Sequence, residues 1–221
     1  MCKLLILLSL PLLVAANDAS DFKELFDKFL SSNNSEVCQA EFEKYKSCYS
    51  GLEEKLTASA GIFNVPSKET VSQLVDDSKV ASACVGEVNC NKFKLAEYLN
   101  QGATFFMEKS IRDNYDCIAE SNFPSIAFRC FTTVVPHSVF NSGDPLALTP
   151  YVRPVFKCVA QKLTSCSAEG RLSFYKGGLG AADIMEVTVQ MLKAQAADSL
   201  DTYVDSFDQK FDPTAYDNVQ L

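Results

Sequence analysis

The chain has 221 residues, 47% of them hydrophobic and 22% charged, with a net charge of -8 at pH 7. That apolar share excludes a chain too polar to build a core. The acidity argues against phosphate backbones as partners, and the lack of a Lys/Arg block argues against an anionic membrane surface.

The first residues address the compartment. Lys3 gives a positive start, Leu4 to Val14 is an apolar run broken only by Ser9 and Pro11, and Val14-Ala15-Ala16 supplies small residues for cleavage. Residues 1–16 therefore read as a secretory signal peptide, too short for an anchor. No later segment reaches the ~18 apolar residues a spanning helix needs, so no membrane insertion is expected.

Removing the leader removes Cys2 and leaves Cys38, Cys48, Cys84, Cys90, Cys117, Cys130, Cys158 and Cys166. An even count in an oxidising compartment reads as four disulfides whose pairing the sequence leaves open. Geometry removes some pairings. Cys38 and Cys48 lie on one predicted helix, about 15 Å apart along its axis, and a disulfide needs Cα atoms within about 7 Å. The same holds for Cys158 and Cys166 if their helix is continuous. A metal site is not expected: no cysteine pair has C-x-x-C spacing, and the only histidine is His137.

In chain order, Asp21 to Leu30 carries Phe22, Leu25, Phe26, Phe29 and Leu30 on one helical face, capped by Ser20. Asn33-Asn34-Ser35 is a glycosylation sequon in a polar break, which makes Asn33 the candidate acceptor. The next helix, Glu36 to Leu56, turns Cys38, Phe42, Tyr45, Tyr49, Leu52 and Leu56 inward and Glu41, Glu43, Lys44 and Glu53 to water. Thr57 to Pro66 reads as a connection. Ser67 caps a helix with Val71, Leu74, Val75 and Val85, which Gly86 ends or bends.

Val80 to Cys130 holds half of the mature cysteines and is the expected helical centre. Within it, a helix from Lys92 to Ala119 is predicted, capped by Asn91, with Phe93, Ala96, Leu99, Ala103, Phe106 and Cys117 on one face. Gly102 in mid-helix costs about 1 kcal/mol relative to Ala, and a close helix contact there is the expected reason. Phe123-Pro124 opens a segment whose Val134-Val135 and threonines leave helix and strand both open. Asn141 to Pro145 is a loop. Thr149-Pro150 starts another helix, with Pro154 delaying its regular part by a turn.

Arg171 to Tyr175 followed by Gly177-Gly178-Leu179-Gly180 has the layout of a short strand, a Gly-rich turn and a helix start. Its spacing matches neither phosphate-binding fingerprint, so turn chemistry is the reading. A long cysteine-free helix is then predicted from Ala181 to Phe207. Its stripe includes Met185, Val189, Leu192 and Leu200, the candidate binding surface if the helix swings on the triple-Gly turn. Residues 209–221 read as an acidic, frayed tail.

The layout Cys84-Val-Gly-Glu-Val-Asn-Cys90, then Phe106-Met107 ahead of Tyr115-Asp116-Cys117, then Cys130, with Phe156-Lys-Cys158 and Cys166 beyond, resembles the nematode-expanded family of secreted cysteine-rich domains of unknown function. Insect haemolymph glycoproteins of similar size are a second resemblance. Neither implies a catalytic residue or a cofactor.

The expectation is an all-α, single disulfide-stapled helical domain of five to seven helices over residues 17–208. It would be secreted, extracellular and non-enzymatic, since the one His leaves no classical nucleophile–base arrangement beyond His137 itself. The expected partner is an extracellular protein. The alternative is an apolar small molecule or lipid, carried in an inter-helix cavity that Phe side chains, Met107 and Met185 would line.

Overall fold

A computed structural model describes residues 36–59, 67–142 and 144–221. The leader, the Asp21–Leu30 helix, the Asn33 sequon and most of the Thr57–Pro66 connection lie outside the described residues. Among those described there is no strand. The elements are α1 (Glu36–Ser59), α2 (Lys68–Val85), α3 (Asn91–Phe106), a π-helical turn (Met107–Ile111), a 3-10 turn (Arg112–Asn114), α4 (Tyr115–Glu120), α5 (Phe123–Val134) and α6 (His137–Asn141). A 3-10 segment (Pro145–Tyr151), α7 (Val152–Lys162), α8 (Ala168–Ala196), α9 (Leu200–Asp205) and a last 3-10 turn (Pro213–Tyr216) follow. The all-α expectation holds. The helical segments outnumber the five to seven expected because two of the predicted long helices are broken.

The disulfides pair Cys38–Cys90, Cys48–Cys84, Cys117–Cys166 and Cys130–Cys158. Cys38 and Cys48 pair with other elements, as their shared helix requires; Cys158 and Cys166 also pair elsewhere, although α7 ends at Lys162 between them. The pattern is nested twice over. The first four cysteines pair outer with outer and inner with inner, and the last four repeat this. Each nest runs two chain segments antiparallel and staples them at two levels: α1 to α2 and the start of α3, and α4–α5 to α7 and the turn before α8.

Each nest has its own core. Tyr45, Tyr49, Leu52, Leu74, Val75, Val85, Phe93, Leu95 and Leu99 belong to the first. Ile118, Cys130, Val159, Leu163 and Phe174 belong to the second. Helix α8 joins them, with Phe174 in the second core and Leu179, Ile184, Val187 and Met191 in the first. Helix α3 is the centre of the first: Lys92, Phe93, Leu95, Ala96, Glu97, Tyr98, Leu99 and Asn100 are buried in sequence, so it has almost no wet face.

Local chemistry explains most element ends. The Ser67 side chain accepts from Thr70 N, as predicted, and α2 ends at Gly86 in a positive-φ conformation (64°) that suits glycine. Asn91 is not the cap of α3. Cys90 occupies that position without a side-chain cap bond, and Glu41 of α1 accepts instead from Asn89 N at 2.7 Å and Cys90 N at 2.9 Å. A residue read as solvated thus places a carboxylate at the positive end of α3, beside the Cys38–Cys90 bridge.

Two further expectations need correction. The Lys92–Ala119 helix does not run through: it passes into the π turn at Met107 and re-forms only at Tyr115. The segment after Phe123, where the sequence leaves helix and strand both open, is helical. The predicted strand and Gly-rich turn at 171–180 are instead the first turns of α8, capped by Ser167 accepting from Gly170 N. Close packing holds these glycines helical. A Cβ on Gly178 would lie 2.4 Å from the Phe156 ring, and one on Gly177 would lie 2.3 Å from Ser110 Oγ and 2.9 Å from Ser110 N. The backbone of α8 therefore lies directly on α7 and on the π turn. Gly102 meets Ile184 in the same way, at 2.8 Å.

The predicted Ala181–Phe207 helix also breaks. Helix α8 ends at Ala196, Asp198 takes a positive φ of 50°, and the chain resumes as α9. The tail is not frayed: Phe211 and Tyr216 are buried in the first core. Phe211 packs at 5.8 Å from Tyr98 and 5.6 Å from Phe105, and Tyr216 stacks on Phe105 at 5.3 Å. The composition suggested a solvated end; two aromatic side chains outweigh it.

Candidate functional site

The sequence-derived candidates do not converge on one site. The eight cysteines from Cys38 to Cys166 are all consumed by disulfides. The stripe of the C-terminal helix faces inward, with Met185, Val189 and Leu200 buried and Leu192 packed against the core. The triple-Gly segment that would have been its hinge is a packed helix. His137 is exposed on α6, 3.4 Å from the Asn141 amide. Among the described residues no three metal-ligating side chains come together, and no helix is long and apolar enough to cross a membrane.

The structure brings together a different set of residues, none of them singled out from the sequence except Tyr49 and the Tyr45 that stacks on it. At the meeting of α1, α2 and α3, Tyr49 Oη donates to Glu97 Oε1 at 2.8 Å and Ser82 Oγ donates to Glu97 Oε2 at 2.8 Å. Asn100 Nδ2 donates to Tyr49 Oη at 2.7 Å and to Ser82 Oγ at 3.1 Å. Gln101 Nε2 adds a third donor to Glu97, at 3.2 Å. Glu97 and Asn100 are buried, and each leans on partners from other helices, so the cluster locks the three helices in register. Burial and the adjacent Glu97 carboxylate push the Tyr49 hydroxyl well above the ordinary tyrosine range. Tyr45 stacks on Tyr49 at 4.5 Å, and burial raises its pKa as well.

Above this cluster lies a cleft of about 420 Å³ between α2, α3 with the π turn, and the C-terminal segment. Ser78, Ser82 and Thr104 give it a polar floor, exposed Gln101 stands at its mouth, and Phe105, Phe211 and Pro213 form an aromatic and apolar wall. The rim is charged but internally paired. Lys79 Nζ lies 2.7 Å from Glu108, which also holds Arg112, and Lys109 Nζ lies 3.1 Å from Asp113. Arg112 reaches back to Asp76 at 3.0 Å, tying the π turn to α2. Ser78 Oγ is fully buried with no hydrogen-bond partner.

A second polar cluster seats the C-terminal wall of the cleft. Tyr216 Oη donates to Asp183 of α8, whose other oxygen accepts from Arg153 of α7; Arg153 Nε also reaches Glu186 at 3.4 Å. Lys176 Nζ donates to Asp217 O at 3.1 Å. Burial, and then the hydrogen bond and charge of Asp183, raise the Tyr216 pKa.

One sequence signal pointed to the cleft floor. Glu97, Asn100 and Thr104 stand at i, i+3 and i+7, so three polar residues share a helical face inside the stretch read as the apolar centre. Comparison with known proteins found no matching family model, no matching curated protein and no matching solved structure.

Proposed function

We propose that this chain is a secreted, non-enzymatic extracellular binding protein. The observation that carries the reading is the cleft: a polar floor whose Ser82 and Thr104 are hydrogen-bonded into the scaffold while Ser78 Oγ is left unpartnered, beside an aromatic wall, in a body stapled by four disulfides. Such a staple density suits oxidising compartments. The hydroxyls of the floor have no imidazole among the residues that line the cleft. The one carboxylate beneath them, Glu97, is occupied by three donors. This is an arrangement for recognition, not for moving protons.

The cleft favours a small-molecule ligand over the helix stripe as the point of engagement, since that stripe lies in the core. A protein partner, the first expectation from the sequence, becomes the second reading on a separate observation: Phe128 on α5 is 67% exposed. Native mass spectrometry of protein isolated from its host tests both. A stoichiometric small molecule in the native mass supports the carrier reading. A defined protein complex lost on Phe128→Ser supports the other. A bare monomer that turns over a substrate refutes the proposal.

A further inference from the structure

We infer that the cleft between α2, α3 and the C-terminal segment binds a small neutral amphiphile, with an apolar body and a hydroxyl head. The inference rests on the binding-protein reading and names the ligand class for its site. Charge comes first. The rim cations are spent, Lys79 on Glu108 and Lys109 on Asp113, so no free positive group awaits an anionic head. Glu108 is held by both Lys79 and Arg112, so no free carboxylate awaits a cationic one. A charged head entering here would lose hydration without gaining a counter-charge, which costs far more than burying a neutral hydroxyl.

The floor supplies what a hydroxyl needs. Ser78 Oγ is buried and unpartnered, a state that native structures rarely leave without a purpose. Thr104 Oγ1 donates to Asn100 O at 2.8 Å, which leaves it an acceptor. An alcohol head both donates and accepts and so matches this pair; a carboxylate only accepts. The wall suits the rest of the molecule. Phe105 and Phe211, with ring centroids 5.6 Å apart, and Pro213 present apolar surface along one side. The volume, about 420 Å³, lies in the range of small-molecule sites. Phe211 and Pro213 come from the C-terminal segment, so the Tyr216–Asp183 contact that seats this segment also completes the site.

The test uses the disulfide-intact protein and the neutral fluorophore N-phenyl-naphthylamine, displaced in turn by decanol, decanoate and decylammonium below their micelle concentrations. The expected result is saturable binding of one probe per chain, with decanol displacing it at concentrations about tenfold below those of either charged analogue. Gln101→Trp places an indole in the mouth from an exposed position and should weaken probe binding about tenfold or more, with the far-UV spectrum unchanged. Ser78→Ala should keep probe binding and erase most of the preference for decanol. No saturable binding, equal displacement by all three analogues, or a folded Gln101→Trp variant that binds like wild type overturns the inference. If Ser78→Ala does not fold, the Gln101→Trp and displacement arms still decide. Failure here leaves the broader binding-protein reading to the host-purified mass, which reports a partner at any site.

Discussion

Gly177 is the position where one methyl group tests the packing of α8 most directly. An added Cβ would meet Ser110 Oγ at 2.3 Å, the Ser110 backbone N at 2.9 Å and Lys109 Cβ at 3.0 Å. Two of these belong to the π turn's own framework and cannot swing aside. In an open helix Gly→Ala would stabilise by about 1 kcal/mol. Here overpacking should cost about 1–3 kcal/mol. The Ser110 hydroxyl, displaced from Phe174 O where it now donates at 3.0 Å, should cost about 1–3 kcal/mol more if left buried and unpaired. With the propensity gain set against both costs, Gly177→Ala should destabilise by about 1–5 kcal/mol. Ser110→Ala removes the nearest clash but not the one with the backbone N. The double variant should thus be at least about 1 kcal/mol more stable than the two single losses summed. Guanidinium denaturation with the disulfides intact reads all four proteins, provided the m-values agree. A Gly177→Ala midpoint at or above wild type would refute the claim that α8 lies directly on the π turn.

Other outcomes follow from the same contacts. Non-reducing peptide mapping should recover Cys38–Cys90, Cys48–Cys84, Cys117–Cys166 and Cys130–Cys158, with no free thiol in the mature protein; any crossed pair between the two nests counts against the fold. Tyr216→Phe removes a hydrogen bond to the Asp183 carboxylate and should cost about 1–2 kcal/mol, with faster amide exchange after Phe211; unchanged exchange there would show that the aromatic contacts alone seat the segment. Stability should also fall at alkaline pH. Burial, then the Asp183 and Glu186 charges, push Tyr98 up to about 12 from its ordinary 10.0, and Tyr45, Tyr49 and Tyr216 are raised too. The unfolded tyrosines ionise first, so the stabilisation is full below about pH 10 and lost as pH rises through the folded-state values. A denaturation midpoint that stays flat from pH 9 to about 12 would contradict their burial.

The fold class was legible because it rests on local signals. The apolar face of α1, the Ser67 cap and the exclusion of a Cys38–Cys48 bridge need only helix geometry, and each holds in the structure. What failed to carry over depends on partners far along the chain. The glycines at 177, 178 and 180 carry turn chemistry when read alone; α7 and the π turn, arriving from earlier in the sequence, make a helix the only conformation that lets the backbones touch. The predicted run to Phe207 ignored Asp198, whose positive φ no periodicity reveals. The tail looked solvated because its charges outnumber its aromatics, yet Phe211 and Tyr216 decide where it goes.

The cleft floor was harder to read for a physical reason, and the same reason links it to the disulfides. Apolar periodicity marks a face, but α3 is buried nearly all round; the polar spacing of Glu97, Asn100 and Thr104 marks a face too, yet what that face does depends on Tyr49 and Ser82, which belong to other helices. Those two are brought together by a staple. Cys48 precedes Tyr49 directly, and Cys84 lies two residues beyond Ser82, so the Cys48–Cys84 bridge pins α1 to α2 beside the 3.1 Å contact of Tyr49 Oη with Ser82 Oγ. The Cys130–Cys158 bridge sits in the other core and closes a comparable span, 28 residues against 36. Chain entropy therefore assigns both bridges a similar stabilisation, about 3–4 kcal/mol. Their local effects should differ. Replacing Cys48 and Cys84 with Ser should speed amide exchange around Ser82, Glu97 and Asn100 well beyond the global loss, and should weaken ligand binding in the cleft. Replacing Cys130 and Cys158 should lower the denaturation midpoint by a similar amount and leave the exchange of the floor, corrected for global stability, unchanged. If both double variants loosen the floor equally, the nests are not separate supports, and the floor owes its order to the body as a whole.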